Sequence, residues 1–218
     1  MFTLDTLFTA VGLACAVALA SPITRQDCAS VYLIHAAGTS ESGLGAVGEP
    51  LSGNLTSSLS SFSSVGLDLQ STRKKFRLTR NSASVEYVTT VAEGAQTLAD
   101  LIASQTSACP DQKFILSGYS KGAMVVHSST ADLTDELISK VCGIAVFGDP
   151  DDERGLGAIY GLADTWPIAN PQVGTNILEY CNEGDPVCAG GSDINAHLAY
   201  PSDGSVTKAV EGLAAVCA

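Results

Sequence analysis

Short β-rich runs alternate with longer helical patterns along most of this chain. The β-rich runs cover residues 31–36, 113–117, 141–147 and 176–180, and most of them stop at or near a glycine. Apolar residues at helical spacing cover residues 47–62, 88–107, 122–137 and 205–216. Strands that alternate with helices predict an α/β fold, a three-layer α/β/α sandwich in which helices cover both faces of a central, mostly parallel sheet.

Two stretches are less regular than the rest. Residues 62–85 are ambiguous, and we expect one strand there without placing it. Residues 148–175 are rich in Gly, Pro and Asp, which is typical of a long surface connection that borders a site. The Ser-rich segment at residues 57–64 is short and lies inside an amphipathic pattern, so it does not mark a domain boundary. A length of 218 residues with 45% hydrophobic and 16% charged content fits one globular domain over residues 21–218.

Residues 1–20 have the pattern of a secretory signal peptide. An apolar run ends at Ala18-Leu19-Ala20, a small-x-small cleavage pattern, so the mature chain is predicted to begin at Ser21 and to be secreted. The segment carries Asp5 and no Lys or Arg, so a buried N-terminal helix is the alternative. No later stretch is long and apolar enough to span a membrane.

The chain has seven cysteines, and Cys15 falls inside the signal segment. The remaining set is even, as an oxidised secreted protein requires, and consists of Cys28, Cys109, Cys142, Cys181, Cys188 and Cys217. Composition alone does not choose a pairing among six cysteines. Buried thiols remain an alternative for Cys142 and Cys217.

The formal net charge of −12 argues against a nucleic-acid partner. The basic residues that do cluster, Arg73, Lys74, Lys75, Arg77 and Arg80, are typical of a solvated strand edge or loop. One sequon, Asn54-Leu55-Thr56, permits N-glycosylation in a eukaryotic secretory pathway.

The pentapeptide Gly118-Tyr119-Ser120-Lys121-Gly122 fits the pattern G-x-S-x-G. This pattern forms a tight turn between a strand and a helix that lifts the serine hydroxyl above the sheet, where a Cβ at either glycine would clash. A β-rich run precedes it and a helical pattern follows it. Ser120 is therefore the predicted nucleophile; the alternative is a structural turn with an incidental serine.

A serine hydroxyl becomes a good nucleophile only when a base removes its proton. Of the three histidines, His35 lies within a strand before the serine, and His127 lies in the helix behind it. In hydrolases with a G-x-S-x-G turn, the nucleophile, an acid and the base form a triad whose chain order is Ser, then Asp or Glu, then His. The base is therefore predicted to be His197.

The acid that orients the base must lie between the serine and His197, and two Asp-Pro steps compete. We prefer Asp185 because Cys181 and Cys188 bracket it, and a disulfide across that short loop would hold the carboxylate while stabilising the fold by about 2 to 3 kcal/mol. Asp149 is expected to cap a turn or a helix instead.

The oxyanion that forms during acyl transfer needs two hydrogen-bond donors. In this architecture one is the backbone N–H after the nucleophile, here Lys121, and the other comes from the loop after an early strand. Thr39 in that loop offers both an N–H and a hydroxyl, whereas the alternative is an ordinary polar turn.

With these residues in place, the sequence resembles the cutinase family of carboxylesterases, which also contains acetylxylan esterases. The matching pieces span nearly all of the chain after residue 20, in the family's order. They are Ala36-Ala37-Gly38-Thr39-Ser40-Glu41, Cys109-Pro110, Gly118-Tyr119-Ser120-Lys121-Gly122-Ala123, Gly184-Asp185-Pro186-Val187-Cys188 and Ala196-His197-Leu198-Ala199-Tyr200.

The resemblance implies a small, lidless α/β-hydrolase fold with the triad Ser120, Asp185 and His197. It also implies disulfides between Cys28 and Cys109 and between Cys181 and Cys188, which by elimination leaves Cys142 to pair with Cys217. Neither a metal nor a cofactor is expected, and the implied enzyme is a secreted monomer.

This chain departs from the family at two positions. It has Lys121 where the family usually has Gln, and Ala37 where the family usually has Arg. The expected substrate is a cutin-like aliphatic polyester or a short to medium-chain ester. The alternatives are an acetylxylan esterase acting on acetylated polysaccharide and, because of the two departures, a secreted binding protein that has lost efficient turnover.

Overall fold

A computed structural model describes residues 28–67, 82–150 and 176–218 of this chain. Its five strands form one sheet in the order β2-β1-β3-β4-β5, and every neighbouring pair is parallel. The strands are β1 Val31–Ala36, β2 Phe62–Gly66, β3 Lys113–Tyr119, β4 Val141–Phe147 and β5 Ile177–Tyr180. The predicted parallel sheet is confirmed, and β2 is the strand expected within residues 62–85.

Helices cover both faces of this sheet, as the alternation of elements predicted. They are α1 Gly45–Ser58, α2 Ser82–Ala108, α3 Lys121–Asp132, α4 Asp135–Ile138, α5 Ile194–Leu198 and α6 Ser205–Cys217. Because side chains alternate across a strand, Leu33 packs with α1 and α6 while Ile34 packs with α2 and α3. The chain thus builds one apolar core on each side of the sheet.

Two of the predicted helices differ from those in the structure. The pattern over 47–62 ends as a helix at Ser58, since Phe62 already begins β2. The pattern over 122–137 divides into α3 and α4, because Thr134 has an extended backbone and its side chain accepts a hydrogen bond from Leu137 N. Residues 1–20 and most of the connection 148–175 lie outside the described residues.

Three disulfides crosslink the described residues, two between distant parts of the chain and one within the loop after β5. They link Cys28 to Cys109, Cys142 to Cys217, and Cys181 to Cys188. The pairing implied by the resemblance is therefore present, and the alternative of buried thiols at Cys142 and Cys217 is wrong. Within the described part of the chain, no helix has the length and apolar content that crossing a bilayer requires.

The strand order places a topological switch point at the carboxyl edge of the sheet, where a crevice is expected in a parallel α/β sheet. The chain leaves the carboxyl end of β1 toward α1 on one face, and leaves the neighbouring β3 toward α3 on the other face. In open parallel sheets ligands bind where adjacent strands diverge in this way. The loops that follow β1 and β3 contain Thr39 and Ser120, so both predicted site residues lie at this crevice.

Candidate active site

Ser120 occupies the turn between β3 and α3 in a strained backbone conformation, with φ 53° and ψ −121°. The turn is this tight because α3 lies almost on the end of β1: a Cβ on Gly122 would lie 1.8 Å from the carbonyl oxygen of Ala36. A Cβ on Gly118 would lie 2.4 Å from the carbonyl oxygen of Gly122. Both glycines of the pattern are therefore required by close backbone packing.

The structure brings two of the predicted site residues into direct contact. His197 lies on α5, Asp185 lies in the loop after β5, and His197 Nδ1 is 2.8 Å from Asp185 Oδ2. The carboxylate is fully buried and His197 is 6% exposed. Such a pair holds an imidazole in one tautomer and one orientation.

The His197 ring lies beside the serine turn. It stacks on the ring of Tyr119, with centroids 5.1 Å apart, and the Tyr119 hydroxyl donates to the backbone carbonyl of His197 at 2.8 Å. The backbone at Gly148 also lies close to this ring, since a Cβ there would lie 2.7 Å from His197 Cε1. The residue before Gly148, Phe147, accepts a hydrogen bond from the Ser120 N–H at 2.9 Å. Among the contacts of the described residues there is no hydrogen bond between the Ser120 hydroxyl and the His197 ring.

Asp185 accepts two hydrogen bonds besides the one from His197. The Tyr200 hydroxyl donates to Oδ2 at 2.6 Å, and the backbone N–H of Val187 donates to Oδ1 at 2.7 Å. Burial alone would raise the pKa of Asp185, but hydrogen bonds from His197, Tyr200 and Val187 outweigh it and hold the pKa below its ordinary value. The carboxyl group is therefore ionised at neutral pH.

The loop after β1 is braced by a carboxylate. Glu41 accepts hydrogen bonds from the backbone N–H groups of Gly38 at 2.8 Å and of Ala46 at 3.2 Å. Thr39 is exposed at the tip of this loop, while Lys121 is the first residue of α3 and is 7% exposed. These two residues thus lie on the two sides of the crevice, one from each diverging strand.

The other two histidines lie away from this pair. His127 Nε2 is 2.5 Å from Asp149 Oδ2, so the competing Asp-Pro step supplies a partner for His127 rather than for His197. His35 is fully buried in β1, as expected of a core residue, and its Nδ1 lies 3.1 Å from the Ser117 hydroxyl. Within the described residues, no group of three or more His, Cys, Asp or Glu side chains is placed to hold a metal ion.

Sequence reasoning missed three residues that shape this site: Tyr119, Tyr200 and Glu41. Each lies within a piece that was already singled out, Tyr119 between Gly118 and the serine, Tyr200 three positions after the histidine. A tyrosine within a site-bearing segment could have been considered as a hydrogen-bond donor, because a buried phenol usually needs a partner. Which acceptor it reaches depends on the tertiary fold.

A parallel sheet with a serine raised at its carboxyl edge, next to a buried carboxylate–imidazole pair, defines the α/β-hydrolase class. The family model described as Cutinase matches residues 27–215, so this chain belongs to the cutinase family. A protein named Cutinase from Botryotinia fuckeliana is 35% identical over 199 residues, covering 88% of this chain and 87% of that protein. Carboxylesterase Culp1 of Mycobacterium tuberculosis is 28% identical over 185 residues, covering 84% and 80%.

Solved structures show the same fold. The catalytic core domain of acetyl xylan esterase from Trichoderma reesei has a TM-score of 0.68 and 20% identity, covering 87% of this chain and all of that one. A cutinase-like protein from Cryptococcus sp. has a TM-score of 0.65 and 25% identity, covering 85% and 95%. The family membership and the named carboxylesterase and cutinase relatives identify the chain as a carboxylic ester hydrolase.

Proposed function

We propose that this ester hydrolase uses Ser120 as nucleophile, His197 as general base and Asp185 as the carboxylate that orients the base. The observation that carries the proposal is the buried hydrogen bond of 2.8 Å between His197 Nδ1 and Asp185 Oδ2, next to the serine turn. A serine without a catalytic role would not be expected beside a buried carboxylate–imidazole pair. The contact between Ser120 and the imidazole is the step that the proposal adds.

The ionisation of Asp185 fixes where the proton of the neutral imidazole lies. An ionised carboxylate only accepts hydrogen bonds, so Nδ1 of His197 carries the proton and donates it to Oδ2. The lone pair is then on Nε2, the ring nitrogen that is not engaged by Asp185. This tautomer is the one that can take the proton of a serine hydroxyl.

The reaction then follows two balanced steps. His197 takes the Ser120 proton as the hydroxyl oxygen attacks the ester carbonyl, and returns that proton to the departing alcohol as the acyl-enzyme forms. In the second step His197 takes a proton from water, the hydroxide attacks the acyl carbon, and the carboxylic acid leaves as Ser120 recovers its proton.

The negative oxygen formed in each step needs donors, and we assign them to Thr39 and Lys121. The backbone N–H of Lys121 lies at the start of α3, where the positive end of the helix dipole favours a negative charge. Thr39 contributes its N–H and hydroxyl from the opposite side of the crevice, in a loop held by Glu41. The amide donor at position 121 does not depend on the side chain that follows the serine.

For the substrate we propose a cutin-like aliphatic polyester or a short to medium-chain ester. The supporting observation is apolar surface next to the base: on α5, Ile194 is 54% exposed and Leu198 is 60% exposed, three and one positions from His197. Exposed side chains of this size suit contact with a hydrocarbon chain. The relative named Cutinase, at 35% identity, supports the same substrate class.

Acetylated polysaccharide is the second candidate substrate. Residues 191–193, immediately before α5, are polar and exposed, which suits a carbohydrate better than a long acyl chain. A comparison of acetate, butyrate and longer p-nitrophenyl esters separates the two. A rate highest for acetate and falling steeply with chain length supports the acetyl esterase, and a maximum at butyrate or beyond supports the polyester hydrolase.

The triad is tested by Ser120→Ala, which should abolish release of p-nitrophenol from the butyrate ester. Turnover that persists in this variant would remove Ser120 from the role. A phosphonate that labels nucleophilic serines should label the wild-type protein in a 1:1 ratio and leave Ser120→Ala unlabelled. A folded wild-type protein that is neither labelled nor active would support the binding protein considered above.

We further propose that residues 1–20 are removed as a signal peptide and that the protein is secreted and acts as a monomer. Three disulfides support an oxidising compartment. Determination of the N-terminal residue of the protein recovered from culture medium tests the cleavage before Ser21.

A further inference from the structure

Asp185 Oδ2, which is hydrogen-bonded to His197, also accepts a hydrogen bond from the Tyr200 hydroxyl. Tyr200 Oη lies 2.6 Å from Asp185 Oδ2, the same atom that is 2.8 Å from His197 Nδ1. We propose that Tyr200 is a positioning residue that fixes the Asp185 carboxylate, shares its charge with His197, and thereby sets the pH below which hydrolysis fails. This inference rests on the proposed roles of Ser120, His197 and Asp185.

The direction of the hydrogen bond between Tyr200 and Asp185 follows from the chemistry of the groups around the phenol. The backbone N–H of Asn182 donates to the Tyr200 oxygen at 3.0 Å, and the disulfide sulfur of Cys188 lies 3.4 Å from it. An ionised carboxylate cannot donate and is a much stronger acceptor than a disulfide sulfur, so the phenol proton is donated to Asp185. Burial, and next the hydrogen bond to Asp185, raise the pKa of Tyr200 above its ordinary value, so the phenol keeps its proton throughout the range in which the enzyme works. Tyr200 is therefore a permanent donor to the carboxylate.

The phenol also restrains rotation of the carboxylate. The terminal torsion of aspartate is soft, so one hydrogen bond to the imidazole does not fix the plane of the group. In this structure both oxygens are held, Oδ1 by the Val187 N–H and Oδ2 by Tyr200. Asn182, which orients Tyr200, also donates from Nδ2 to the carbonyl of Ala196, the residue before the histidine. One network thus fixes both the acid and the helix that carries the base.

Two donors on one oxygen divide its charge. The imidazolium that forms when His197 takes the serine proton is stabilised by that charge, and so is the imidazolium that forms when the free enzyme is protonated by acid. Removing the phenol proton leaves more negative charge facing His197, which favours the protonated ring at a higher pH. The acidic limb of the pH profile should then move upward.

Few other titratable groups act on this ring. Of the described residues, those against it are Asp185 from the loop after β5, Tyr119 from β3 and Tyr200 from the segment after α5. Asp203 acts indirectly, through its hydrogen bond of 2.6 Å from Asn182 Nδ2. Tyr119 donates to a backbone carbonyl rather than to Asp185. The Tyr200 phenol is therefore the one tyrosine hydroxyl in this group that shares the carboxylate with the base.

The test is the pH dependence of ester hydrolysis in Tyr200→Phe, which keeps the ring and removes only the hydroxyl. We expect the acidic midpoint of kcat/KM to rise by about half a pH unit, because the ring then faces more negative charge. We expect kcat at its optimum to fall by about tenfold with KM unchanged, because loss of the donor that fixes the carboxylate plane outweighs that gain in charge. The matched control is Tyr180→Phe, since Tyr180 stacks on Phe147 with centroids 5.0 Å apart while Tyr200 packs on the same ring at 6.0 Å. The control should keep the wild-type profile.

A second measurement does not depend on folding of the variant. Growth of the wild-type protein with 3-fluorotyrosine makes every phenol more acidic and a stronger donor, so the acidic midpoint should fall instead of rise. A midpoint that stays in place or moves the opposite way in either experiment overturns the role of Tyr200. If Ser120→Ala is inactive while Tyr200→Phe has the wild-type profile, only this inference fails; if Ser120→Ala is active, the proposed function fails.

Discussion

Replacing the buried histidine of β1 by asparagine should make the free energy of unfolding depend less on pH in the acidic range. His35 is fully buried and packs so closely on α1 that a Cβ on Gly48 would lie 2.4 Å from its Cδ2. Nδ1 is 3.1 Å from the Ser117 hydroxyl, and Nε2 has no hydrogen-bond partner among the described residues. Burial therefore lowers the pKa of His35 from 6.5 to about 3.

These two values set the sign and size of the effect. Between pH 6.5 and about pH 3, His35 is protonated in the unfolded chain but not in the folded chain. The stability present above pH 6.5 is therefore lost as the pH falls toward 3. Relative to pH 8, the free energy of unfolding should fall by about 2 kcal/mol at pH 5 and about 3 kcal/mol at pH 4 from this residue alone.

The measurement is urea unfolding of wild type and His35→Asn at pH 8, 6, 5 and 4, with the disulfides intact. Asparagine places an amide near the position of Nδ1, so Ser117 keeps a partner, and it cannot titrate. The variant should be less stable than wild type at pH 8, but the difference should shrink by about 2 kcal/mol at pH 5. Parallel loss of stability in the two proteins over this range would refute the assignment.

Three further predictions follow from the same geometry. Asp185→Asn should lower kcat by about 10⁴-fold, whereas Asp149→Asn should lower the melting temperature and leave kcat within about twofold. Loss of activity in both variants would contradict the choice of Asp185 as the acid. Gly122→Ala should give little folded protein in circular dichroism, because its Cβ would lie 1.8 Å from a carbonyl oxygen at the end of β1. The double variant Cys142→Ser/Cys217→Ser removes a disulfide between residues 75 positions apart, so it should lower the free energy of unfolding by about 4 kcal/mol and leave kcat at 25 °C unchanged. Urea titration and ester assays measure these two quantities.

Much of the fold was predictable because its strands are buried on both faces. A buried parallel strand is continuously apolar, and the runs at 31–36 and 141–147 coincide with β1 and β4. By contrast β2, Phe62–Gly66, is only partly buried and includes two serines, so periodicity does not separate it from the preceding helical pattern. Edge strands are harder to find by hydrophobicity alone.

Only those features of the candidate site that depend on sequence order and local motifs could be predicted. Chain order and the glycine pattern single out Ser120 and His197, and the choice of Asp185 over Asp149 rested on a flanking pair of cysteines. The hydrogen bond between His197 and Asp185 agrees with that choice. The second donor to Asp185 was not predictable, because Tyr200 reaches it only when the loop after β5 and the segment after α5 fold together.

The chain contains two buried histidine–aspartate pairs, and the topology decides which of them can do chemistry. His127 and Asp149 join α3 to the segment after β4, and the His127 side chain is 2% exposed. Asp185 lies instead in the loop after β5 and His197 lies on α5, where its ring stacks on Tyr119 beside Ser120. Since a base must meet a nucleophile and a substrate from solvent, we propose that the pair at the diverging strands is the catalytic one and that the pair behind α3 serves stability.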